Sequence, residues 1–205
     1  MQSWGTRSRF DERDTGLEPS KSGVLGLVCA ALGRDRDEPI DDLAALEMGV
    51  RVDREGILKR DYQTAQNIIR PDGKGVQPTA VTQRYYLADA VFLVGLEGDR
   101  ALLEQIHRAL RNPHWSLSLG RKSYLPSQPL YLEDGLRETP LAHALSTYEF
   151  LPFKNDATLS DVSKADRPIC RFVIQSSEGA LRMDEPLAPF SERRFGARYV
   201  QTTQG

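Results

Sequence analysis

The sequence predicts an α+β fold in which an incomplete ferredoxin-like unit is followed by a smaller β-rich C-terminal lobe. Three observations carry this. The first is an order of helix, strand, long hairpin, strand and helix over the first 120 residues. The second is a polar stretch around a sharp turn, which reads as a projecting hairpin. The third is a tail of short strands separated by prolines. The soft boundary falls near 130, giving residues 1–130 to the first unit and 131–205 to the lobe.

The first helix opens at Pro19-Ser20-Lys21-Ser22, with Ser20 or Ser22 as its cap, and ends at Gly33. Val24 to Leu32 is apolar on nearly every face, the pattern of a helix buried between layers. Gly23 and Gly26 each cost about 1 kcal/mol relative to Ala, which implies close approach of another backbone or a ligand. A short helix is expected at Asp41 to Glu47. Val50 and Val52 alternate with Arg51 and Asp53 as a half-buried strand. The hairpin is expected over about 57–84, around Arg70-Pro71-Asp72-Gly73-Lys74-Gly75. Tyr86 to Leu96 reads as one buried strand. Asp99 caps a helix whose Leu102, Leu103, Ile106 and Leu110 share a face, and Asn112-Pro113 stops it. Trp115, Leu117 and Leu119 alternate as a strand. In the tail, Thr139-Pro140 opens a helix to Ser146, Ile169 to Gln175 and Phe195 to Val200 are strands, and Glu178-Gly179 is a turn. A ferredoxin-like unit reads β-α-β-β-α-β, so its first strand is missing here.

Composition narrows the function. The 205 residues, 40% hydrophobic and 27% charged, suit a soluble globular protein and exclude disorder, collagen and coiled coil. No apolar run approaches the roughly 18 residues a membrane span needs, and the opening Met1-Gln2-Ser3-Trp4-Gly5 does not read as a secretory leader. Cys29 and Cys170 sit in apolar runs and are expected as buried thiols of a cytoplasmic protein. Net charge is −2, against a freestanding nucleic-acid binder. Yet acids concentrate in residues 35–55 while bases gather in knots such as Arg7/Arg9, Arg121/Lys122 and Arg193/Arg194. Such a distribution fits small RNA grips beside protein interfaces.

Three segments are candidate sites. Pro19-Ser20-Lys21-Ser22-Gly23 offers a cation and two hydroxyls at a helix N-terminus, either a phosphate site or a plain cap. It is not a P-loop, since Gly16 stands too close to Lys21 and Ser20 occupies the glycine position. Gly120-Arg121-Lys122-Ser123-Tyr124 offers two cations, a hydroxyl and an aromatic, either a single-stranded RNA site or a basic turn. Lys59-Arg60-Asp61-Tyr62-Gln63-Thr64 is a weaker version, or an edge strand with protective charges. His107, His114 and His143 lack a neighbouring Cys or carboxylate at relay spacing. No catalytic residue, metal or cofactor is expected.

Taken in order, Met1 to Gly5, Pro19 to Leu27, Arg60-Asp61-Tyr62-Gln63-Thr64-Ala65-Gln66, Leu119 to Ser123 and Arg193-Arg194-Phe195 resemble the CasD family. This is the fifth-named family of CRISPR-associated proteins, here in its type I-E form. The resemblance implies a ferredoxin-like, RRM-related (RAMP) domain with a thumb hairpin. It implies a non-catalytic subunit of the Cascade surveillance complex that caps the 5′ handle of the CRISPR RNA. The partners implied are that RNA, the backbone subunit, the large PAM-reading subunit and, through the complex, target DNA. Carried onto matching positions, the RNA-binding residues are Trp4, Gly5, Arg7, Arg9, Lys21, Ser22, Arg60, Tyr62, Gly120, Arg121, Lys122 and Ser123. Gln63 stands where relatives commonly carry His, which fits a subunit that binds without cutting. The rival readings are a metal-independent endoribonuclease that matures the same RNA, and a pure protein adaptor. The family also implies an apolar strand running into Gln2-Ser3-Trp4-Gly5. The expectation is that the native start lies upstream, or that the sheet is repaired another way.

Overall fold

The computed structural model describes residues 1–6, 12–70, 72–151 and 170–205. Strands dominate: β1 (Glu12–Arg13), β2 (Glu47–Arg54), β3 (Ile57–Ile69), β4 (Val76–Ala88), β5 (Val91–Glu97), β6 (Arg171–Ser176), β7 (Ala180–Pro186) and β8 (Phe195–Gln204). Helices are α1 (Lys21–Leu32), α2 (Asp41–Ala44), α3 (Arg100–Arg111) and α4 (Leu141–Thr147). A five-stranded antiparallel sheet has the order β5-β2-β6-β8-β7, and β3 and β4 form a ribbon joined at its base by β1. The C-terminal strands therefore extend the sheet begun by β2 and β5, and the division near 130 separates sequence segments, not sheets.

α1 begins where Ser20 Oγ accepts from Gly23 N and ends at Gly33, whose φ of 77° suits a residue without Cβ. One face of the sheet presents Met48, Val50, Val52, Val173 and Val200 to Val24 of α1. Leu25, Val28 and Cys29 continue outward to meet α2 and α3 through Leu43, Leu102 and Ile106. The opposite face receives Leu141 and Leu145 of α4 over Leu93. Gly49 and Gly95 make room for them, since a Cβ at either would meet a leucine methyl at 2.7 or 2.5 Å. Both cysteines are buried and neither is in a disulfide, and burial pushes the Cys29 thiol up to about 11.

Several expectations change. β2 is buried on both faces: Arg51 is paired with Asp53 at 2.6 Å and donates to the carbonyls of Leu145, Tyr148 and Glu149, closing the C-terminal end of α4. Alternation read this strand as half-buried because it could not see a helix end waiting for a guanidinium. The expected strand from Tyr86 to Leu96 is two, broken at Asp89, which turns the chain at φ 57°. Residues 115–119 form no strand; Leu119 instead accepts from Ser3 N and donates to Tyr124 O. α2 stops at Ala44, because Glu47 already pairs with Glu97. Ile169 lies outside the described residues.

The hairpin is present, and longer than expected. β3 and β4 pair in register from Ile57↔Ala88 to Ile69↔Val76. Most of its residues are exposed, including Tyr62 at 62% and Ile69 at 71%. Among the described residues β5 has one sheet neighbour, β2. Along its other edge run two adjoining clefts of about 250 and 580 Å³, which share Val94, Leu96, Ile106, Leu110, Leu130 and Leu132. Gln2 sits at one end, bonded to Leu87 through both backbone groups and to Ala90 O through its side chain at 2.7 Å.

Candidate functional site

A third cleft, of about 280 Å³, gathers three segments that the sequence singled out. Ser3, Trp4 and Gly5 come from the N-terminal loop, Ser20, Ser22 and Gly23 from the start of α1, and Gly120 and Arg121 from the turn after residue 119. Arg13, Asp14, Phe190 and Phe195 complete the lining. Asp14 is the one carboxylate among these residues.

Close backbone packing builds the cleft. Ser3 N donates to Leu119 O, and Gly120 sits at φ 88°, where a Cβ would lie 1.7 Å from Ser3 O. Glycine is needed there for approach to the chain's own backbone, not to a ligand. Gly23 is needed for a similar reason: its Cβ would meet the Trp4 ring at 2.9 Å. Arg121 donates to Tyr124 Oη at 3.0 Å and to Tyr85 O at 3.2 Å, with its guanidinium over the Tyr124 ring at 5.5 Å. These contacts aim the guanidinium without neutralising it, since none of these acceptors is a carboxylate. Lys122 and Ser123 follow on the exposed side of the same turn.

Other expected residues fare differently. The expectation that Lys21 presents a cation is corrected. Its ammonium is fully buried, 2.8 Å from Glu185 Oε1 and 2.8 Å from Ala44 O, with Gln175 Oε1 at 3.3 Å. Its backbone N–H donates to Asp184 Oδ2 at 2.8 Å, and Arg198 clamps that carboxylate with bonds of 2.7 and 3.0 Å. The helix N-terminus thus already holds an anion, supplied by β7. The sequence could not show this partner, which lies 163 residues away. Trp4 is 4% exposed, and its indole N–H donates to Gln2 Oε1 at 3.1 Å, so it is a wall of the cleft more than a stacking surface. Tyr124 is also buried, against Tyr86 at 5.8 Å between centroids. Arg60 and Tyr62 do not line the cleft. They stand exposed on one face of β3, opposite Tyr85 and Gln83, two strands from Arg13. Arg7 and Arg9 lie outside the described residues. Arg13, Phe190 and Phe195 were missed as site residues, although Arg193-Arg194-Phe195 belonged to the pattern of resemblance.

A family model described as "CRISPR-associated protein (Cas_Cas5)" matches residues 1–201. The chain belongs to the CRISPR-associated Cas5 family. It is 35% identical over 167 residues to the CRISPR system Cascade subunit CasD of Escherichia coli (strain K12), covering 73% of each chain. A solved structure described as a Cas protein matches with TM-score 0.78 and 51% identity over 99% of this chain and 89% of that one. A chain of a CRISPR RNA-guided surveillance complex matches with TM-score 0.82 and 32% identity, over 99% and 85%. Membership in the Cas5 family accounts for the order of motifs along the sequence. The geometry adds that four of those motifs, far apart along the chain, meet at one cleft, the last of them through Phe195.

No group of three His, Cys, Asp or Glu side chains converges among the described residues. No helix there is long and apolar enough to cross a membrane.

Proposed function

We propose that this chain is a non-catalytic RNA-binding subunit of a type I-E Cascade complex, holding the 5′ handle of the CRISPR RNA. The observation that carries the reading is the cleft shared by the Trp4 loop, the start of α1 and the Gly120-Arg121 turn, with Lys122 and Ser123 at its edge. Glycine and serine backbone, cations and one acid make a surface for a bent single strand, bound by shape and phosphate contact. The likeness to CasD and to a surveillance-complex chain supports assembly with that RNA and with backbone and PAM-reading subunits. Target sequence is then read by guide pairing, not by this chain. The β3–β4 ribbon serves as the thumb. Lys21 supports the cleft by fixing α1 to β7, and Trp4 and Gly120 support it by packing.

Arg121→Ala with Lys122→Ala tests this. RNA-dependent assembly should weaken, and the dependence of log K on log salt should flatten by about 0.7 for each phosphate no longer neutralised. Unchanged assembly across a salt series contradicts the reading.

The same reading includes a ferredoxin-like sheet completed along β5. A strand buried between α1/α3 on one side and residues 130–132 on the other, antiparallel to β5, would fill the two adjoining clefts with apolar side chains. In the assembled complex the β5 amides facing away from β2 should then resist hydrogen exchange. Rapid exchange there contradicts a completed sheet.

A further inference from the structure

We infer that Phe195 and the 187–194 turn form the second wall of the RNA cleft, with Phe195 as a platform for one unstacked base and Arg193 as a contact to an adjoining phosphate. The inference rests on the proposed RNA-binding role and assigns to it a base-stacking subsite. A single exposed aromatic is ordinary on a protein surface. Phe195, 38% exposed, differs because it lines the same cleft as Gly5, Ser22, Gly120 and Arg121. Of the other aromatics near this cleft, Trp4 and Tyr124 are buried, and Phe190 is half-buried with its ring against the core beside Gly26 of α1, so Phe195 is the most open ring. Sequence-tolerant recognition of a single strand needs such a face, because every base has one.

The turn that carries it is held in place. Leu187 N donates to Arg194 O at 3.1 Å, closing the loop. Ser191 N donates to Arg36 O at 3.0 Å, and the Arg36 guanidinium donates to Phe190 O at 3.1 Å. Phe190 packs toward α1 beside Gly26. Arg193 adopts the left-handed region at φ 52°. It is exposed and has no carboxylate partner among the described residues, whereas Arg194 lies 3.5 Å from Glu192. A ring on a backbone held by its strand pairing and the bonded turn, close in sequence to a cation without a carboxylate partner, is a pre-organised seat for a base and its phosphate.

The full chain is titrated with labelled mixed-sequence single-stranded RNA across a salt series. Wild type should bind, and Lys122→Ala should bind more weakly with a flatter salt slope. Phe195→Ala should weaken binding roughly 5- to 100-fold with the slope unchanged, the signature of a missing stack. Phe195→Trp should retain affinity. Phe195→Leu keeps apolar bulk and should melt like wild type, yet bind like the alanine variant. Arg193→Ala should flatten the slope. If Lys122→Ala responds as expected and the Phe195 variants bind as wild type, the stacking subsite is wrong and the RNA reading stands. If wild type binds no single-stranded RNA, both are overturned.

Discussion

At Gly120 the chain passes so close to Ser3 that a single methyl group has nowhere to go. A Cβ would sit 1.7 Å from a carbonyl oxygen, in backbone that L-residues rarely adopt. Gly120→Ala should therefore lower stability by about 2–4 kcal/mol, measured by urea unfolding. Lys21 is sensitive for another reason. Lys21→Met leaves Glu185 without its cation, and breaking a buried pair from one side costs about 3–5 kcal/mol. Lys21→Met with Glu185→Leu should recover much of that, and neither variant should alter the salt slope of RNA binding. A slope reduced by Lys21→Met in a folded protein would restore it to the interface. The Ser20 cap and the basic turn were legible because each rests on neighbours in sequence, whereas the demand for glycine at 120 comes from Ser3, far away along the chain. Asp184, Arg198 and Phe195 were not legible, since only folding of the C-terminal strands brings them to α1.

The elements differ in how much of them local pattern could show. α1 and α3 have strong caps, α1 is apolar on nearly every side and α3 has one apolar face, and both were legible to within a residue or two. β2 and the break at Asp89 were not, because burial of Arg51 and the turn after β4 are set by tertiary partners. The β3–β4 ribbon, polar and without a steady period, has no buried face along most of its length. Its distal strands, Tyr62 to Ile69 and Val76 to Gln83, contain no charged residue and bury little. A two-stranded ribbon is marginal in water. Its amides should exchange far faster than those of β2 in the isolated chain and become protected in the RNA-bound complex. Full protection in the isolated chain contradicts a thumb that orders on contact. A second element-scale expectation concerns the link between α1 and α2. Arg34 bonds Asp42 at 2.7 Å, and this hydrogen bond holds the Asp42 carboxyl below its ordinary value. Its stabilising contribution is complete above about pH 4 and is lost as pH falls through the depressed value. Asp42→Asn should flatten the acid limb of a stability–pH curve; an unchanged limb contradicts the pairing.

For the whole molecule, the α+β class and the order of the main elements followed from the sequence, whereas the single sheet that unites β5, β2 and the C-terminal strands did not. Strand order depends on pairings such as Gly49↔Ile174, which no local pattern encodes. The modest net charge is consistent with a subunit that meets RNA at one cleft and proteins elsewhere. The enzyme reading separates from the binding reading in one incubation: precursor RNA with the pure chain in EDTA should remain intact, and specific cutting would favour a metal-independent nuclease. The handle end of a CRISPR RNA is the ligand proposed for this chain. The most direct measurement is to purify the tagged chain with whatever it carries and to sequence the RNA. A defined population of RNAs sharing one 5′ segment ahead of variable guides is expected. Purification without RNA, or with RNA of no common 5′ sequence, would contradict it.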